Sequence, residues 1–184
     1  MNTWGIKGIN AFLTLVAGAG LILIPIAEGW AQEKCKRTGA NLAQDTKYIQ
    51  QHAIDVGDVP GHQVRILELH YTPSNAKPNC EGLKVVEAWS RGYSDYTNIN
   101  GRAWGYAIDI LENGDKIFSQ WSGITQTTMN PDGSKNMTYT GITTYTGGTG
   151  KYRGIHGMSR STTNFNPATG FNETQWEQEY WLTD

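Results

Sequence analysis

Apolar and polar residues alternate along most of the chain from residue 62 onward. Alternation with a period of two, in segments rich in β-branched and aromatic residues, predicts the strands of an antiparallel sheet. Turn residues separate these segments at regular intervals. The pattern predicts seven strands, at residues 62–72, 83–97, 102–111, 116–128, 134–146, 156–166 and 172–182, and an eighth near residues 48–56.

Two Asn-Gly pairs, Asn100-Gly101 and Asn113-Gly114, each stand between alternating segments. Asn-Gly suits the positive φ angles of a two-residue type I′ turn, so each pair predicts a tight hairpin. Residues 130–133 and 166–170 supply longer turns rich in Asn, Pro and Gly. Consecutive hairpins over about eight strands predict an all-β fold, a closed antiparallel up-and-down β-barrel whose interior holds side chains or one small ligand.

Pairing counted outward from the two Asn-Gly turns places most aromatic residues of the central strands on one face of the sheet. Apolar area stabilises a fold only where water is removed, so this face is predicted to line the barrel interior. A one-residue shift in the pairing would invert the assignment. Charged residues alternate with the rings, which leaves two interpretations: a pocket for a small hydrophobic or aromatic ligand, or a packed interior with an internal salt network. The candidate ligand-binding residues are Glu87, Trp89, Arg91, Tyr93, Trp104, Tyr106 and Trp121.

The first 31 residues have the pattern of a signal peptide. Lys7 precedes an uncharged apolar run over residues 11–27, and small residues follow at 29–31. Cleavage would start the mature chain near Gln32, and a retained membrane anchor is the alternative. Residues 32–53 are polar and are predicted to form an N-terminal arm, with a short helix over 41–51, before a barrel domain at 54–184.

Both cysteines, Cys35 and Cys80, lie in the part of the chain that export would deliver to an oxidising compartment. A disulfide between them is therefore expected, and it would fasten the N-terminal arm. The predicted location is secreted or periplasmic.

Charge and composition narrow the possible partners. The chain carries 15 Lys and Arg against 17 Asp and Glu, so no basic field attracts nucleic acid. The two cysteines and the scattered histidines lack the spacing of a zinc site, and neither a metal nor a cofactor is predicted. No Ser-His-Asp or nucleophile-elbow pattern is present, so the catalytic residues are left unassigned, and Glu68 is only a minor acid-base candidate.

Five glycines fall within residues 147–157, in the order Gly-Gly-Thr-Gly-Lys-Tyr-Arg-Gly-Ile-His-Gly. A phosphate-binding loop needs Ser or Thr directly after its Lys, but Tyr152 follows Lys151, so the run predicts a bulged corner between strands. The run resembles the signature shared by dirigent proteins and the allene oxide cyclase barrel superfamily. Residues 57–62 give a weaker resemblance, and the likeness extends over about residues 54–184.

The resemblance implies a small exported barrel without a cofactor. Its implied role is to enclose a small hydrophobic or aromatic molecule. One alternative is a cyclase-like, isomerase-like or dirigent-like protein that steers the stereochemistry of a reactive intermediate, and another is a structural barrel with a packed interior. No membrane partner is expected after signal cleavage, and a homo-oligomer is possible because such barrels often form dimers or trimers.

Overall fold

The computed structural model describes residues 33–183, which form one antiparallel sheet of nine strands. The predicted signal peptide therefore lies outside the described residues. Two short 3-10 helices, Ala43–Asp45 and Gly150–Tyr152, interrupt the strands. The strands are β1 (Cys35–Asn41), β2 (Thr46–Asp55), β3 (His62–Tyr71), β4 (Val85–Thr97), β5 (Asn100–Leu111), β6 (Lys116–Met129), β7 (Lys135–Gly148), β8 (Ile155–Asn166) and β9 (Phe171–Leu182).

Each strand from β2 to β8 pairs with the next one along the chain, and β1 pairs with β9, so that β1 and β2 are the two edges of the sheet. The β2 edge approaches the other side of the sheet at β9, where Asn172 Nδ2 donates to the Tyr48 hydroxyl at 3.0 Å. The predicted up-and-down topology is confirmed. The predicted closure is wrong, since no backbone ladder in the described part of the chain joins β1 to β2. The segment between β1 and β2 instead contacts the loop that follows β3. The Asp45 carboxylate accepts hydrogen bonds from the backbone N–H and the hydroxyl of Ser74.

The eight predicted strand positions are confirmed to within a few residues, but the segment predicted as a polar arm is part of the sheet. Residues 35–41 pair with β9 and residues 46–55 pair with β3, and the helix predicted over 41–51 is limited to Ala43–Asp45. Cys35 and Thr46 are buried although their neighbours are polar. The backbone hydrogen bonds of this segment are made with two other strands, β9 and β3. This pairing decides its structure even though the local alternation of apolar and polar residues is weak.

The hairpin between β4 and β5 turns two residues earlier than predicted. Asn98 and Ile99 occupy the turn with φ angles of 52° and 62°, and Thr97 pairs with Asn100. Gly101 lies inside the ladder, where an added Cβ would collide with the Asp95 backbone. The shift moves both strands by an even number of positions, so the residues of β4 and β5 predicted to share a face do share it.

The hairpin between β5 and β6 is one residue longer than predicted. Leu111 donates to the Asp115 carbonyl and Gly114 adopts a φ of 86°, which leaves residues 112–114 as a three-residue loop. A type I turn followed by a left-handed glycine is the usual form of such a loop. Ile110 consequently pairs with Lys116, and Trp121 faces Gly105 rather than Tyr106. This single-residue difference moves Trp121 to the face opposite Trp104.

The glycine run forms the predicted corner between β7 and β8. The ladder between β6 and β7 shifts register between Phe118 and Ser119, which confirms a bulge at this end of β7. The corner directs Tyr152 inward until it is fully buried. An added Cβ at Gly148 would collide with Tyr152, so a glycine is needed at this close approach. The buried residues packed together here are Cys35, Leu111, Ile117, Tyr152, Ile155 and Tyr180.

The predicted disulfide between Cys35 and Cys80 is confirmed, with Cα atoms 6.0 Å apart. It fastens β1 to the loop at residues 72–84, which we call the β3–β4 loop. Glu81 of this loop accepts hydrogen bonds from the hydroxyls of Tyr180 and Tyr152 at 2.6 and 3.2 Å. A disulfide suits an oxidising compartment. Within residues 33–183, no helix has the length and apolar character that a membrane span needs.

Replacing both cysteines by alanine is expected to lower the free energy of unfolding. The bond closes a loop of 45 residues, for which the chain-entropy model gives about 4 kcal/mol. Urea denaturation of the double variant and of the oxidised protein measures the difference. An unchanged denaturation midpoint would show that the bond does not constrain the unfolded chain.

Candidate ligand cavity

The inner face of the sheet surrounds a cavity of about 510 Å³, which is bordered by residues from all nine strands and from the β3–β4 loop. The inner positions of β4 and β5 are small, and they include Ser90, Ala103 and Ala107. Aromatic side chains from several strands border the same space. They are Tyr48, Tyr71, Tyr96, Trp121, Tyr139, Tyr145, Phe165, Trp176 and Tyr180.

Glycines on neighbouring strands make room for three of these rings. An added Cβ at Gly92 or Gly105 would lie closer than 3.0 Å to the Trp121 ring, and one at Gly39 would collide with Trp176. Tyr139 is accommodated in the same way by the glycines at 123 and 141. Because these rings pack against glycines of the sheet, they leave space inside it and a cavity remains.

Three buried polar atoms bordering the cavity have no hydrogen-bond partner within the described chain. They are the indole Nε1 of Trp121, the hydroxyl of Tyr139 and the side-chain Oδ1 of Asn172. Leaving a buried polar group unsatisfied costs about 1–3 kcal/mol. All three atoms are themselves buried, so they lie within the cavity wall and not on its accessible surface.

Asp109 on β5 borders the cavity. Its neighbours across the ladder are Ala88 and Ile117, which offer no polar partner. Burial raises the pKa of this carboxyl to about 6. Burial also raises the pKa of Tyr71 and of Tyr145, and the charge of Asp109 adds to both increases. The two phenols therefore stay neutral near the carboxyl.

The predicted interior position is wrong for most of the candidate residues. Tyr93, Trp104 and Tyr106 are 46%, 44% and 58% exposed and lie on the outer face. They do share one surface, since Tyr93 and Trp104 are cross-strand partners with ring centroids 5.9 Å apart. Of the seven candidates, only Trp89 and Trp121 are among the residues bordering the cavity. The ring of Trp89 nevertheless lies on the outer face, where it stacks on His70, so Trp121 is the one candidate whose ring faces inward.

The charged candidates also lie outside the cavity. Arg91 donates to Glu68 at 2.8 Å, and its guanidinium lies 5.1 Å from the centroid of the Trp89 ring. Glu87 accepts hydrogen bonds from Trp89 Nε1 at 2.8 Å and from His70 Nε2 at 3.1 Å. One interpretation of the sequence is a salt network inside the barrel. These charged residues do form such contacts, but on the outer face. Glu68 has no contact with the cavity and is not positioned for acid-base chemistry there.

Sequence reasoning missed the residues that define the cavity. The available signal was the small face of β4 and β5, where Ser90 and Ser94 face Ala107 and Ala103 across the ladder. Small residues on two central strands leave space that larger side chains of other strands occupy. Asp109, a single acid between Ile108 and Ile110, was the second signal.

Comparisons with protein-family models, with curated proteins and with solved structures found no match. Among residues 33–183, no three His, Cys, Asp or Glu side chains are grouped closely enough to hold a metal ion.

Replacing Asp109 by Asn is expected to stabilise the protein at neutral pH. The folded pKa of about 6 exceeds the unfolded value of about 3.9, so the native state binds the proton more tightly. Wild-type stability should fall as the pH rises from about 4 to about 7, by about 2–3 kcal/mol in total. The Asp109→Asn variant lacks this loss.

Urea denaturation of both proteins across this pH range measures the difference. Asp55→Asn, which changes an exposed carboxylate at the end of β2, is the charge-matched control. A constant difference between wild type and Asp109→Asn at every pH would contradict the burial of this carboxyl.

Replacing Gly39 by Ala is expected to lower the free energy of unfolding by about 1–3 kcal/mol, because the new methyl group overlaps the Trp176 ring. The same change in a Trp176→Leu background should cost less. A double-mutant cycle measured by thermal unfolding tests the coupling. An equal cost in both backgrounds would show that the ring does not rest on Gly39.

Proposed function

We propose that this chain is an exported protein that binds a small hydrophobic or aromatic molecule inside its sheet. The observation that carries the proposal is the cavity of about 510 Å³ with its aromatic lining. Ligand cavities typically measure about 300–1,000 Å³ and combine a mainly apolar wall with a few polar groups that orient the ligand. The Asp109 carboxyl, which borders the cavity, can take that second role.

The open centre of the sheet favours binding over a purely structural role. A packed interior would place side chains of native density across the whole inner face. Here the inner positions of β4 and β5 are small, and the rings that rest against glycines do not fill the remaining volume. The glycine run and the up-and-down sheet that contains it support a relationship to the dirigent and allene oxide cyclase superfamily, and this relationship is part of the proposal.

One observation favours a second function, in which the cavity guides a reactive intermediate. Asp109 has a pKa of about 6, which lets the carboxyl act as either a proton donor or a proton acceptor near neutral pH. The aromatic wall would hold an intermediate in one conformation while it cyclises or couples. Turnover or altered product stereochemistry distinguishes this function from binding alone.

Binding can be tested by screening apolar and aromatic metabolites against the purified protein. A ligand should raise the melting temperature and change the tryptophan fluorescence, because Trp121 borders the cavity. Ala107→Leu should abolish both responses, since the larger side chain enters the cavity. Trp104→Ala removes an exposed ring from the outer face and should leave both responses intact.

Two results would contradict the proposal. One is a wild-type protein that responds to no compound in the screen. The other is a response that survives Ala107→Leu and is lost in Trp104→Ala, which would move the binding site to the outer face.

A further inference from the structure

Asp109 is a charged group that the described chain leaves without a partner. No hydrogen bond or ion pair of its carboxyl is present among residues 33–183, and burial is the one cause of its raised pKa. A buried charge is strongly disfavoured unless it is paired. An occupant of the cavity that supplies a positive charge would remove this penalty.

The cationic side chains that border the cavity are directed elsewhere. Arg37 donates to the Lys77 carbonyl at 2.8 Å and its guanidinium lies 5.8 Å from the centroid of the Trp176 ring. Lys77 itself lies exposed on the β3–β4 loop. Neither residue contributes to the pKa of Asp109. The chain therefore offers the carboxylate no internal counter-charge.

The surroundings of Asp109 are those that a cation prefers. Tyr71 on β3 and Tyr145 on β7 are near enough for their pKa values to respond to its charge. Trp121 and Tyr139 border the same cavity. Aromatic faces attract ammonium groups, and the attraction increases when water is excluded. An aromatic wall around one carboxylate is thus suited to an organic ammonium ion.

We infer that the ligand of this cavity is a small organic cation, with an apolar or aromatic body packed among the rings and a protonated amine paired with Asp109. This inference rests on the proposed binding function and adds the chemical class of the ligand. The amine replaces the missing counter-charge, and the apolar body packs against the aromatic residues that border the cavity.

The experiment compares two probes of nearly equal size, 3-phenylpropylamine and 3-phenylpropan-1-ol, by isothermal titration calorimetry at pH 7.5. The amine should bind the wild-type protein at least about tenfold more tightly than the alcohol, which corresponds to about 1.4 kcal/mol. Asp109→Asn should bring the two affinities together. Asp55→Asn removes one exposed carboxylate and should preserve the preference.

A second measurement does not depend on any variant folding. The affinity of the wild-type protein for the amine should fall as the pH drops from 7.5 to about 5, because Asp109 then takes up a proton. Tyr71 and Tyr145 remain neutral over this range because their pKa values are raised. The change in affinity therefore reports the protonation of Asp109 and not of these two neighbours. The alcohol should bind equally at both pH values.

Equal affinities of the two probes for the wild-type protein would overturn the inference and leave the proposed binding function standing. A preference for the amine that persists in Asp109→Asn would overturn it as well, because another group would then recognise the charge. If neither probe binds while other compounds in the metabolite screen do, the ligand class is wrong. If the screen is also negative, the binding function fails with it.

Discussion

The interior of this protein depends on the fit of aromatic rings against glycines on neighbouring strands. Trp121 lies over Gly92 and Gly105, and Trp176 lies over Gly39. Any larger residue at those glycines would push the rings toward the centre of the sheet. The rings cover the strand backbone at these glycines, which have no side chain of their own to cover it. The cavity is thus the space that remains because these large side chains pack against the glycines.

Register decides which rings take part in this arrangement. The loop at residues 112–114 contains one residue more than a tight Asn-Gly turn, and Gly114 adopts the left-handed conformation that such a loop requires. Side chains alternate between faces, so this one residue places Trp121 inside while Trp104 remains outside. Strands β2 to β9, their order and the glycine corner could be predicted because each has a local signature in the chain, and the disulfide because the exported part holds two cysteines. The facing of the rings could not, since it depends on a loop length that Asn113-Gly114 alone does not specify.

Two further features lay beyond sequence reasoning for a different reason. β1 is polar and alternates weakly, and it becomes a strand only because β9 offers it a partner. Asp109 looks like an ordinary polar residue of a half-exposed strand until the fold encloses it. Its raised pKa depends on burial, and burial by other strands cannot be derived from neighbours along the chain. The outer-face rings predicted to bind the ligand instead form an exposed surface, and the possible homo-oligomer stays a prediction.

The pairing of β1 with β9 has a consequence for how the chain folds. Cys35 of β1 pairs with Tyr180 of β9. The backbone hydrogen bonds of β1, which is synthesised before the other strands, can therefore form only after β9 has been synthesised. Strands β2 to β9 can pair one after another through local hairpins. Strand β1 can pair with β9 only after almost the entire length of the sheet-forming chain has been brought together. Contacts of such large sequence separation slow folding. The sheet therefore cannot be completed while its final strand is still being made.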